Sequence, residues 1–428
     1  MKEVLEIPPW MRRVPMKRGI GDSMEESGFE ASSDMDLGAA PSTNNTLPAT
    51  SRVLLLVAGA KGAVGSTLAV AVAAMKDSPD LVLPSLATES ILAHLGIAQE
   101  MEFAGWDISP LSLAESFPRH AVLPEEIWGA RIDLLSQAQI KRPPPPSLSL
   151  GEQVERIIHD LEDFKSLYPG FRPVLVDLLP ACGQVDLSHL RRLDQLLEEA
   201  DPSAMPDLAY AVAALLSGVP VINFTSNPIE APGLVSEAEL RGVPMAGRDG
   251  KTGQTYLKVV LASALRARNL RVNGWYSLNI LGNEDGRNLR DPKRAEGKIA
   301  NKTGVLDEVL GYKIGEGRDG PCHKVRIDYY PLRGDAKEAW DVIDFAGLFG
   351  LPMSMRVNLM ARDSVLAAPL VMDLANWMVA LQEVGRAGLV SELAFYFKRP
   401  LGPDPPLRFQ EQIWALEGLE RECRRGGW

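Results

Sequence analysis

Three clusters of residues in this 428-residue chain have types and spacing that could do chemistry. The first is VLLLVAGAKGAVGSTL, Val53 to Leu68, an apolar run that breaks into Gly59, Gly62 and Gly65 just as a helix-forming run begins. Glycines there let backbone N–H groups and the positive end of a helix approach a pyrophosphate. A triphosphate loop needs a lysine before its final Ser or Thr to reach the outer phosphates, and Ser66 stands in that place. The dinucleotide form usually has glycine where Lys61 stands, so the loop alone leaves binding and packing roles open. The second cluster is Thr252-Gly253-Gln254-Thr255, which opens the helical run Leu257 to Leu265. Its amides and hydroxyls suit an anion, or else Thr252 merely caps the helix. The third is Lys298 and Lys302, four apart and so on one face of a helix, where like charges cost ~0.2–0.5 kcal/mol. On spacing alone, a solvated face is the commoner use of such a pair.

Composition narrows what these clusters can serve. A chain that is 46% hydrophobic and 24% charged can bury a large core and form about two domains. With 45 basic and 56 acidic residues, the net charge is −11, which gives no global field for nucleic acid. An anionic ligand must therefore be held by local positive charge. Cys182, Cys322 and Cys423 have no CxxC spacing, which argues against a disulfide framework or a zinc site. No run approaches the ~18 apolar residues of a membrane span, and MKEVLEIPPWMRRVPMKRG lacks the continuous apolar segment of a signal. A cytoplasmic protein with no membrane partner is expected.

The elements that must position the clusters follow from hydrophobic periodicity. Residues 1–51 are rich in Ser, Asp, Glu, Pro and Thr and read as a disordered extension. From Arg52 the pattern alternates: strand over Val53–Ala58, helix over Gly65–Met75, strand over Pro173–Leu179, helix over Leu208–Leu216, strand over Val219–Phe224. Buried β-branched strands alternating with helices predict an α/β fold with a parallel, doubly wound sheet. The proline run KRPPPPS, Lys141 to Ser147, reads as a surface loop between two units of that domain. Beyond Leu270, RVNGWYSLNI, KVRIDYY and MRVNLM alternate faces, as antiparallel strands with one covered side do. Asp363–Val384 is helical again and apolar enough to return to the first core.

Motifs between Gly247 and Leu306 carry a family resemblance: DGKTGQT, LGNEDGRNL and the lysine pair of KIANK. Flanking matches are Gly105-Trp106-Asp107-Ile108, Tyr210-Ala211-Val212-Ala213-Ala214, Asn223-Phe224 before Ser226, Gly334-Asp335-Ala336-Lys337 and DSVLAAPL from Asp363. In this order the chain resembles the myo-inositol-1-phosphate synthase family from about Arg52 to Pro400. The resemblance implies a Rossmann-like NAD-binding domain over 52–255 plus 367–428, with an inserted α+β catalytic and tetramerisation domain over 256–366. It also implies NAD, a sugar phosphate substrate and a homotetramer. The activity implied is cyclisation of D-glucose 6-phosphate to 1D-myo-inositol 3-phosphate by oxidation, enolisation, aldol closure and reduction. Rival readings are a synthase acting on another sugar phosphate and a non-catalytic NAD-binding regulator.

Residue by residue, the resemblance implies that Lys298 and Lys398 stabilise an oxyanion and move protons. Lys337 would face the oxidised centre, and Lys302 the phosphate. Asp249 and Asp285 would orient the lysines, with Asp335 and Asp363 toward the nicotinamide. Thr252, Gly253, Gln254 and Thr255 would hold the substrate phosphate. Gly59, Gly62, Ala63, Val64 and Gly65 would hold the dinucleotide, and Asp107 its adenosine ribose. Taken singly, each aspartate is equally a turn or cap residue. The chain departs from the family at Lys61, Tyr256, Glu284 and the segment Asp177 to Pro180. The family has metal-dependent and metal-independent members, and no ligand cluster decides between a divalent cation, a monovalent cation and none.

Overall fold

The computed structural model describes residues 52–82, 100–182, 185–290, 304–315 and 322–426. The amino-terminal extension, Lys298 and Lys302 lie outside them. A seven-stranded sheet has the order β11-β6-β5-β4-β1-β2-β3, all parallel. Its strands are β1 (Arg52–Ala58), β2 (Glu100–Trp106), β3 (Gln139–Lys141), β4 (Arg172–Asp177), β5 (Val221–Asn223), β6 (Pro244–Gly247) and β11 (Gly388–Leu389). Val53, Leu55 and Val57 face one apolar core while Leu54, Leu56 and Ala58 face another. Such a strand is apolar throughout because helices cover both faces. The first core takes in helices Ala63–Asp77 and Asp363–Glu383, the second Leu150–Leu167 and Asp207–Leu216. Helix Asp363–Glu383 alone among the described helices is long and apolar enough to cross a membrane, and 78% of its apolar window is buried inside the protein.

A four-stranded sheet has the order β10-β9-β7-β8, with β7 (Arg271–Leu281), β8 (His323–Tyr329), β9 (Ala336–Ala346) and β10 (Pro352–Arg362). One face packs on helix Gln254–Ala267, whose Val259, Ala262 and Leu265 share a core with Val272, Trp275 and Ile343. The three-strand run β10-β9-β7 is antiparallel as expected, but β8 pairs with β7 in parallel. The long connection between them, Gly282 to Cys322, permits the crossover a parallel pair requires. Two smaller differences concern the first sheet. β4 ends at Asp177, whose side chain accepts the Leu179 N–H at 3.1 Å and turns the chain out of the ladder. The proline run leads from β3 into helix Leu150–Leu167, so it lies within one crossover rather than between two units.

Candidate active site

The glycine loop joins β1 to helix Ala63–Asp77 at the carboxyl end of the parallel sheet, beside β2 and β4. Gly59 has a left-handed φ of +89°, and a Cβ there would stand 3.0 Å from the Leu178 carbonyl. A Cβ on Gly65 would stand 2.6 Å from the carbonyl oxygens of both Gly59 and Ala60. The helix can therefore start hard against the strand end only with glycine at this point. Gly62 is the N-cap and offers no side-chain cap, so helix geometry leaves the N–H groups of Ala63, Val64 and Gly65 without helical acceptors. This is a cradle for an anion.

Asp107 follows β2 and accepts the Lys61 N–H at 2.7 Å through one oxygen and the Ser109 N–H at 2.7 Å through the other. Each oxygen keeps a lone pair for a hydroxyl. Lys61 donates its ammonium to the Ser109 carbonyl at 3.0 Å, so the residue that replaces a family glycine is tied along the end of β2. The departing segment at Asp177 is braced by Asn227, which accepts the Cys182 N–H at 2.8 Å and donates to the Pro180 carbonyl at 3.0 Å. Asn227 also donates to Asp207 at 2.7 Å. Burial, then the neighbouring Asp207 carboxylate, pushes Asp177 well above the usual carboxylate range.

A second group of residues gathers after β6. The chain leaving Gly247 runs beside Tyr396–Leu401: Arg248 N–H donates to Arg399 O at 2.8 Å, Lys398 N–H to Asp249 O at 2.7 Å, and Lys251 N–H to Tyr396 O at 2.8 Å. Asp249 has φ of +63°, in the left-handed region that aspartate tolerates better than most residues. The clamp sets the Lys398 ammonium 2.6 Å from an Asp249 oxygen, with side chains only 15% and 6% exposed. Lys251 is buried and donates to the Ala394 carbonyl and to Gln412 Oε1, each at 2.9 Å, tying in helix Phe409–Arg425. Burial lowers its pKa to about 7.

Lys337, near the start of β9, lies 2.8 Å from Asp363, the first residue of helix Asp363–Glu383. Thr252 donates to the other Asp363 oxygen at 3.0 Å. Thr252 is thus no helix cap; Gly253 holds that position without a side-chain bond, leaving the first-turn amides of helix Gln254–Ala267 open. Burial on its own would raise the Asp363 pKa, but Lys337, Lys398 and Thr252 outweigh it and hold the group at about 2. Asp335 accepts from Ser364 at 3.0 Å and from Asn283 at 3.3 Å through one oxygen. Its other oxygen is buried and has no partner among the described residues, and burial raises its pKa.

The structure therefore brings together Asp249, Lys398, Thr252, Asp363, Lys337 and Asp335, and places Gly59, Gly62, Ala63, Val64, Gly65 and Asp107 on the loop at the parallel sheet. Asp285 falls in the short helix Glu284–Asn288, and its side chain lies outside the described residues. Lys251, inside the DGKTGQT segment between Asp249 and Thr252, also belongs to this group, although nothing in its local spacing singles it out. Among the described residues, His159, Asp160 and Asp163 alone stand close enough to share a metal ion, and Lys141 bridges both of these carboxylates.

Comparison with known proteins identifies the family and the fold. A family model described as myo-inositol-1-phosphate synthase matches residues 253–364. An inositol-3-phosphate synthase 1 of Bacteroides thetaiotaomicron is 32% identical over 392 residues, covering 83% of this chain and 90% of its own. Inositol-3-phosphate synthase 1 of Bos taurus is 31% identical, covering 78% of this chain and 66% of its own. In fold, the chain superposes on the crystal structure of inositol-3-phosphate synthase from Caenorhabditis elegans with a TM-score of 0.73 at 23% identity, covering 88% and 86% of the two chains. A myo-inositol-1-phosphate synthase-related protein from Thermotoga maritima gives a TM-score of 0.70 at 21% identity, over 85% and 98%. The chain belongs to the inositol-3-phosphate synthase family and is an enzyme of that type.

Proposed function

We propose that this enzyme cyclises D-glucose 6-phosphate to 1D-myo-inositol 3-phosphate with retained NAD. The observation that carries the reading is the meeting of two lysine–aspartate pairs, Lys398–Asp249 and Lys337–Asp363, beside the open first turn of helix Gln254–Ala267. The residues fit a dinucleotide: Gly59 and Gly65 let the loop close against the strand end, the first-turn N–H groups of helix Ala63–Asp77 have no helical acceptors, and Asp335 carries a buried oxygen without a partner among the described residues. Gly59, Gly62, Ala63, Val64 and Gly65 would hold the pyrophosphate, Asp107 the adenosine ribose, and Asp335 with Asp363 the nicotinamide end. When bound, the dinucleotide accepts hydride from the sugar and returns it, so the reaction has no net oxidation.

The chain's own groups do the rest. Thr252, Gly253, Gln254 and Thr255 hold the phosphate by amides and a helix dipole. Lys337 faces the C5 oxygen as it becomes a carbonyl, where a cation opposes the developing enolate charge. Lys398 and Lys298 move the proton at C6 and steady the oxyanion, and Lys302 serves the phosphate and proton transfer. Asp249 and Asp285 fix lysine geometry and offset crowded positive charge. Residues 52–255 with 367–428 form the cofactor domain, and 256–366 the catalytic and oligomerisation domain. A homotetramer built through the four-stranded sheet accords with exposed Tyr276, Trp340 and Met360; light scattering should give a mass near four chains, and a monomer would refute it.

Lys398→Met tests the catalytic assignment. Turnover should fall at least ~100-fold while NAD affinity stays within about twofold. Turnover within threefold of the parent would remove Lys398 from the chemistry.

A further inference from the structure

Below the phosphate anchor lies a buried polar cluster that the roles above leave unexplained. Gln254, 1% exposed, opens helix Gln254–Ala267 and donates through Nε2 to Asp341 at 2.8 Å. Asp341 is on the covered face of β9, in step with Lys337 by strand alternation. Its second oxygen accepts from Trp275 Nε1 at 2.7 Å and from Ser277 Oγ at 2.5 Å, both on β7. Ser277 is also the direct cross-strand partner of Asp341. Lys258, one turn along the helix from Gln254, is fully buried with its ammonium 6.0 Å from the Trp275 ring centre. Burial lowers its pKa to about 8, a fall that the Asp341 charge opposes.

An ionised carboxylate only accepts, so Gln254 must turn its NH2 toward Asp341. That fixes the rotation of the amide and leaves Gln254 Oε1 buried with no protein partner among the described residues. A carboxylate on a covered sheet face is costly unless paired and hydrogen-bonded, and an apolar residue would fill the same face without that cost. Three donors converging on one carboxylate, which in turn holds an anchor residue, point to orientation as its purpose.

We propose that Asp341 is a positioning residue for the sugar-phosphate anchor, fixing Gln254 and with it the first turn of the helix whose amides meet the phosphate. It acts through Gln254 and touches no substrate, and the inference rests on the reading of residues 252–255 as that anchor.

Equilibrium binding and steady-state kinetics of glucose 6-phosphate test it. Asp341→Asn should raise KM and weaken sugar-phosphate binding roughly tenfold, as expected for losing a charge-assisted bond. The kcat and the NAD affinity should stay within about twofold. In a Gln254→Ala background the same substitution should add less than about twofold, because its route of action is already gone. Independent, multiplying effects, or an unchanged KM in Asp341→Asn, would overturn the proposal. Should that variant fail to fold, Ser277→Ala loosens Asp341 while leaving its bond to Gln254, and a KM raised about fivefold is expected, as for a lost hydrogen bond of about 1 kcal/mol; a KM within about twofold of the parent would overturn the proposal equally. Absence of glucose 6-phosphate binding in the parent enzyme would instead overturn the functional reading, and this inference with it.

Discussion

At the residue scale, the Lys337–Asp363 pair carries a pH signature. Asp363 sits at about 2 in the folded protein against 3.8 for a free aspartate, because Lys337, Lys398 and Thr252 outweigh its burial. A carboxyl with a lowered folded pKa contributes stability that is present above about pH 4 and lost as pH falls toward 2. Removing the lysine in Lys337→Met should therefore cost about 2 kcal/mol of stability at pH 6, and the gap should narrow as pH drops from 4 to 2. Urea unfolding at stepped pH measures it; a gap that stays constant would mean the two charges do not hold one another. The motif residues at this pair were legible in the sequence because they stand in recognisable segments, DGKTGQT, GDAK and DSVLAAPL. Asp341 and Lys251 were not. Their roles depend on which strand face helix Gln254–Ala267 covers and on what helix Phe409–Arg425 brings up to Lys251, neither of which is written in local spacing.

Among the elements, the glycine loop was readable and its use of space was not. The apolar run before Gly59 dictates a strand buried on both faces, and the periodic run after Gly62 a helix. Only the fold reveals that Gly65 lies where the helix meets the carbonyls of Gly59 and Ala60. Gly65→Val should weaken NAD binding at least ~tenfold and lower stability by about 1–3 kcal/mol through forced displacement of that backbone. Fluorescence titration and thermal melting check both; unchanged NAD affinity would separate this loop from the cofactor. Strand direction was less legible. Alternation in KVRIDYY tells which residues share a face, but a period of two is the same in either direction, so the parallel pairing of β8 with β7 depended on the long connection.

For the whole molecule, two sheets of different character cooperate. The parallel sheet, with the strand order 3-2-1-4-5-6 typical of dinucleotide folds and β11 added beyond β6, presents its loop at a carboxyl edge. The four-stranded sheet supplies Lys337 and Asp341, and helix Asp363–Glu383 connects it back to the first core while contributing Asp363 to the site. A site drawn from both sheets suits the proposed sequence of an oxidation, a carbon–carbon closure and a final reduction. The most direct measurement is incubation of purified enzyme with glucose 6-phosphate and catalytic NAD, following inositol phosphate formation and NADH absorbance together. This account expects inositol phosphate to accumulate with no net NADH. NADH rising in step with a sugar-derived product would contradict the closed redox cycle, and no product from a protein that binds NAD would contradict the substrate.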